Sequence, residues 1–181
     1  MSLLREIYDL ASGDGDVATA LRKCKILAAR LGSDEFAHWV DWELNGYPEP
    51  QATPDYRRLN ITYFASFTGD WQVPKLPMPL QIVPKEYRNS YRYKDFRDGI
   101  AMAASFTDKG AVALSHRPDL IPLLQGKMCP GLSCYHVWSE IAGVEFRQLV
   151  SAVKNRIVDF SLKIEAENPD AGEAPPNSHP R

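Results

Sequence analysis

The chain has 181 residues, of which 44% are hydrophobic, 24% charged and 10% aromatic, with a formal net charge of −2 from 21 basic and 23 acidic side chains. That composition excludes global disorder, and the near-neutral balance gives no electrostatic reason for an obligate nucleic-acid partner. Three cysteines, an odd number in a chain long enough to bury a real core, argue against a secreted disulfide framework.

Three helical segments open the sequence. The first runs from about Leu3 to Ala11, with Ser2 as N-cap and Leu3, Leu4, Ile7, Leu10 and Ala11 on one side. "SGDGD" interrupts it, and Asp14 or Asp16 can cap a second helix carrying Val17, Ala20, Leu21, Cys24, Leu27, Ala28 and Leu31 at offsets of three and four. Cys24 on that stripe reads as a buried small hydrophobe. Gly32 ends the stripe and Ser33 caps a third helix, where Asp34 and Glu35 face the positive end of the dipole. Phe36, Ala37, Val40 and Leu44 form its apolar side, Trp39 widens that side, and Trp42 falls close to the opposite one. "NGYP" then stops it, since Asn45 or Gly46 can turn left-handed and Pro48 prevents resumption.

After Glu49 the texture changes. In "RRLNITYFASFTGDW", Leu59, Ile61, Tyr63, Ala65 and Phe67 alternate with more polar positions, which reads as a strand. "QVPKLPMPLQIVP" is extended, with edge-like prolines. "KDFRDGIAMAASF" predicts a helix with Phe96, Ile100, Ala103 and Ala104 on one side, and "RPDLIPLLQ" a shorter one with Pro118 in its first turn. "CPGLSCYHVWSEI" alternates weakly through Tyr135, Val137 and Ser139, as a brief strand or a connector would. The last helix is the clearest. Ala142, Phe146, Leu149, Val153, Ile157, Phe160 and Ile164 step by three and four, predicting about Ile141 to Glu167 and roughly 40 Å of helix. The expected fold class is therefore α+β and predominantly helical, with three N-terminal helices, a long C-terminal helix and a small β region. Residues 1–168 are expected to form one domain and 169–181 a proline-rich tail or linker.

Motifs for chemistry are sparse. The N-terminus lacks the basic and apolar regions of a signal peptide, and no window approaches eighteen consecutive apolar residues, so a cytoplasmic protein without a membrane partner is expected. No P-loop, dinucleotide fingerprint, zincin motif or nucleophile elbow is present. No histidine has an arginine five to seven positions before it, which removes the Arg-x4-6-His pair of many HEPN ribonucleases. His38 lies three and four positions from Asp41 and Asp34, a pairing that could bind metal or serve proton transfer, but the plainer and favoured reading is an exposed polar helix face. Cys129, Cys134 and His136 form C-x4-C-x-H with only His116 as a nearby fourth ligand, so packing cysteines are expected rather than zinc, and no metal or cofactor. "YRNSYRYKDFR" interleaves Tyr91 and other rings with Arg88, Arg92, Lys94 and Arg97. It is a loop in the plainer reading and the candidate nucleotide or nucleic-acid surface in the other.

"SLLREIYDLAS", "ATALRKCKILAARLGSDEFAHWVDWELNGYP" and "PDYRR" together resemble the N-terminal signature of the AbiTii domain family, and "VKNRIVDFSLKIEAENP" resembles its closing helix. The resemblance extends from Ser2 to about Pro169 and is loose in the middle. It implies a bacterial abortive-infection, anti-phage role, often as one domain of a larger protein, and it brings no catalytic residues. Trp39, Glu43, Leu44, Gly46 and Tyr47 fall on the family's landmark positions. Physically, Trp39 and Leu44 pack, Gly46 permits the helix stop, Tyr47 fixes the departing chain, and Glu43 can pair with Arg57 or Arg58.

The expected function is a non-enzymatic assembly or sensing module that forms a homo-oligomer and organises an effector domain or protein linked at the C-terminus. Trp42, if exposed, and Phe160 and Ile164 on the overlong last helix are the candidate partner contacts. The alternatives are a nucleic-acid or nucleotide-binding sensor using residues 87–97 and, last, a nuclease built around His38 with Asp34 and Asp41; a phage component is a further candidate partner.

Overall fold

The computed structural model describes residues 2–168. The fold is α+β and predominantly helical, as expected, and its contacts divide the chain into two compact units. The expected tail, 169–181, lies outside the described residues.

The first unit takes the described part of Met1–Tyr56, Arg97–Ser105 and Arg147–Arg181. Helix α1 is Leu3–Ser12, α2 is Val17–Leu31 and α3 is Asp34–Asn45, each with the cap its sequence specifies. The Ser2 hydroxyl accepts from Arg5 N at 3.3 Å, the Asp16 carboxylate from Thr19 N at 2.8 Å, and the Ser33 hydroxyl from Phe36 N at 3.4 Å. Gly32 closes α2 at φ 63°. The buried stripe of α2 runs from Val17 to Ala28 and includes Cys24, where burial pushes the thiol up to about 12.

The second unit, Arg57–Phe96 and Phe106–Phe146, holds the sheets. Strands β1 (Arg58–Asn60) and β4 (Tyr93–Asp95) form an antiparallel pair, reinforced by Arg58 and Asp95 at 3.4 Å. Strands β2 (Thr62–Thr68), β3 (Val73–Pro77), β5 (Ala111–His116) and β6 (Ser133–Ala142) form an antiparallel sheet in the order β3-β2-β6-β5. One face of that sheet buries Tyr63, Ala65, Phe67, Cys134 and Val137 against Val83, Leu120 and Leu124. Short helices α4 (Arg88–Arg92) and α6 (Ile121–Leu124) lie in the connections.

Two expectations need correction. The segment of uncertain type is the ten-residue central strand β6, whose alternation is masked by a bulge. Ser66 faces His136 and Phe67 faces Cys134, so Tyr135 is an extra residue that turns outward and is 54% exposed. The helix predicted across "KDFRDGIAMAASF" shrinks to α5, Ile100–Ala104, because Tyr93–Asp95 is taken by strand pairing. Gly99, just before α5, lies so close to the Leu44 carbonyl that a Cβ there would overlap it.

Helix α7 spans Gly143–Glu167, about 37 Å at 1.5 Å per residue. Its first turn, to Phe146, is assigned to the second unit and the remainder to the first. Among the described residues no helix is long and apolar enough to cross a membrane.

Candidate functional site

Two features of the first unit arise from α3, and they differ in kind. At its C-terminal end the chain is fixed by polar contacts. Gly46 N donates to Trp42 O at 2.8 Å, and Tyr47 N donates to Arg97 O at 2.8 Å. The Arg97 guanidinium returns to the carbonyls of Tyr47 and Gln51, at 3.2 and 3.0 Å. Gly46 has φ 101°, and a Cβ on it would stand 2.6 Å from the Arg97 carbonyl oxygen, so both conformation and space require glycine. Beneath this stop lies Glu43, fully buried. Its Oε1 accepts from the hydroxyls of Tyr47 at 2.7 Å and Tyr56 at 2.5 Å, while Trp39 Nε1 donates to the Tyr56 hydroxyl at 3.1 Å. Burial, then the hydrogen bonds with Tyr56 and Glu43, holds the Tyr47 hydroxyl far above the usual tyrosine range. The Arg156 guanidinium covers the Tyr56 ring at 4.4 Å. These tyrosines are held protonated as donors, which suits a structural clasp rather than acid–base chemistry near neutral pH.

The second feature is a groove between α3 and the end of α7. The apolar stripe of α7 is buried at Leu149, Val153 and Ile157, and then continues through Phe160 and Ile164, which are only half-buried. Phe160 packs against Phe36 at 4.9 Å and Trp39 at 5.4 Å between ring centroids, and Phe36 and Trp39 stack at 6.1 Å. These rings and Ile164 floor a groove of about 610 Å³, with Leu31 and Ser33 at its α3 end. Arg156, Lys163, Glu35 and Glu167 also line it. On the same stretch of α7, Leu162 is 49% exposed. The groove offers apolar area and charges of both signs, the equipment of a protein-contact surface.

A model of the AbiTii family matches residues 2–180, nearly the whole chain. The chain belongs to the AbiTii family. No curated protein and no solved structure matches it. The family name associates it with abortive-infection, anti-phage defence.

On this AbiTii fold, the landmark residues Trp39, Glu43, Gly46 and Tyr47 come together in the clasp. Tyr56, which sequence reasoning did not single out, joins them. Its only signal was its place in "PDYRR", within the stretch that resembles the family. Of the candidate partner residues, Phe160 and Ile164 line the groove. Trp42 differs from expectation. It is half-buried, with its ring between His38 at 5.9 Å and Tyr47 at 5.7 Å, and it lies outside the groove. Phe36, Trp39, Arg156 and Lys163 were not foreseen as groove residues, because which helix faces meet is not a local property.

The basic loop is largely engaged in structure. Arg88 donates to the carbonyls of Val83 and Gln81, both at 2.9 Å, and Arg97 to those of the α3 stop. Tyr91 packs on Tyr63 at 5.8 Å and under Arg117 at 4.8 Å, an arginine held by Asp119 at 2.7 Å. Arg92 and Lys94 are exposed. The His38 grouping is not assembled: Asp41 pairs with Lys25 at 2.6 Å, and His38 stacks on Trp42. Cys134 faces the core of the second unit, while His136 stacks on Trp138 at 4.8 Å and meets the His116 ring at a tilt, 4.6 Å between centroids. Among the described residues no group of three His, Cys, Asp or Glu side chains could hold a metal ion.

Proposed function

We propose that this AbiTii domain is a non-enzymatic assembly and sensing module of an abortive-infection protein, and that it self-associates to organise an effector joined beyond residue 168. The observation that carries this reading is the end of α7. Its apolar stripe continues past Ile157, the last apolar position that is fully buried, and leaves Phe160 and Ile164 half-buried in an open groove beside α3. Half-covered aromatic and aliphatic side chains in a charge-rimmed groove are what a partner protein would complete. The clasp hydroxyls that meet Glu43 are buried and held protonated, so contact rather than catalysis is the use that this arrangement supports.

A nucleic-acid sensor working through residues 87–97 has less support. Two of its four cations are bound to backbone carbonyls and its central ring, Tyr91, is packed, leaving Arg92 and Lys94. Two phosphate contacts give little affinity at physiological salt.

The test is solution mass by light scattering over a concentration series. The expected result is a defined oligomer whose population rises with concentration. A monomer at every concentration up to the millimolar range would overturn the reading.

A further inference from the structure

Resting on that reading, we infer that the α3–α7 groove is a two-fold interface whose occupant is the same groove of a second copy. The argument is its charge pattern. The floor is apolar, from Phe36, Trp39, Phe160 and Ile164, and the rim carries two cations, Arg156 and Lys163, and two carboxylates, Glu35 and Glu167. A groove built for a basic or an acidic partner would carry an excess of the opposite sign. An isologous interface instead needs a patch that complements itself, each cation finding a carboxylate or an aromatic face on the other copy.

The spacing along α7 meets that need. Arg156, Phe160, Lys163 and Glu167 follow one another at steps of four, three and four, so they share one face over about three turns. When two such helices run antiparallel about an axis between positions 161 and 162, Arg156 of one copy comes opposite Glu167 of the other. Lys163 then comes opposite the Phe160 ring, a cation–π arrangement. Arg156 lies over the Tyr56 ring, while the other rim charges can change partners at little cost. Lys163 and Glu167 are only 4.0 Å apart with side chains 69% and 68% exposed, the geometry of a weak surface pair, and Glu35 is exposed. Desolvated between two copies, the same groups would act at lower dielectric and contribute more.

The experiment uses two reversed rims. R156E/K163E makes all four rim charges acidic, and E35K/E167K makes all four basic. Light scattering on the parent, on each variant and on their equimolar mixture reads the interface, with circular dichroism melts confirming that each variant is folded. Because Arg156 also covers the Tyr56 ring, E35K/E167K alone carries the test if the first variant melts early, since it sets position 167 opposite Arg156 with like charge. The expected result is a self-associating parent, each variant weakened roughly 100-fold or more by like-charge apposition, and a mixture that recovers the parent mass. A self-associating parent whose two variants keep its mass would overturn this interface while leaving self-association standing, and so would a mixture that stays monomeric. A monomeric parent would overturn both.

Discussion

Glu43 shows how much one buried carboxyl can organise. Fully removed from water, it accepts from two tyrosine hydroxyls, one four residues away in sequence and one thirteen. A buried acceptor of this kind is costly unless satisfied, and once satisfied it fixes the position of every donor around it. Tyr47 and Tyr56 are thereby tied to the end of α3, and Trp39 is tied to Tyr56. The glycine at the same corner follows a second residue-scale rule. Gly32 and Gly46 both have positive φ, at 63° and 101°, yet only Gly46 is crowded, since a Cβ at Gly32 meets nothing within 4 Å. Gly32→Ala should therefore cost about 1 kcal/mol, the ordinary left-handed penalty. Gly46→Ala adds a clash with the Arg97 carbonyl and should cost at least about 3 kcal/mol. Urea unfolding of both variants checks the order, and equal losses would mean that the α3 stop can relax around a methyl group.

At the scale of elements, the apolar stripe of α7 divides into positions that are fully buried and positions that are only half-covered. Ile157 is fully buried, so Ile157→Ala should destabilise by about 2–4 kcal/mol through lost burial and the cavity left behind. Ile164 is half-exposed in the groove, so Ile164→Ala should cost under about 1 kcal/mol in the monomer and act instead on association. Denaturant midpoints at low concentration measure the first effect, and light scattering at high concentration the second. The periodicity of α7 was fully legible in its sequence, but this division was not. Phe160 and Ile164 look the same as Leu149 and Val153 in the pattern, and only the elements packed above them distinguish the two sets. The caps of α1, α2 and α3 were legible for the opposite reason, since Ser2, Asp16 and Ser33 act on backbone three residues ahead. Strand β6 was hidden by a single inserted residue, Tyr135, which reverses the inside–outside phase within the strand.

For the molecule as a whole, self-association would couple stability to concentration. If folded copies pair and unfolded chains do not, the thermal midpoint should rise as protein concentration rises, and the rise should vanish in R156E/K163E. Calorimetric or fluorescence melts over a hundred-fold concentration range measure it. A midpoint that is constant for the parent would place the groove outside any folded-state equilibrium in that range.

The amino-acid sequence by itself determined the fold class, the three N-terminal helices with their caps and stops, the length of the last helix, and membership of the AbiTii family. Each of these is set within a few residues along the chain, by hydrogen-bond reach, by helical period, or by a fixed order of landmarks. Tertiary structure alone decided which charges are spent and which remain available. Arg88 and Arg97 are consumed by carbonyls, Tyr56 closes the clasp on Glu43, Trp42 is half-covered, and Phe160 and Ile164 are left half-covered in a groove. These outcomes depend on groups brought together from distant parts of the chain, and local pattern carries no record of what will cover it.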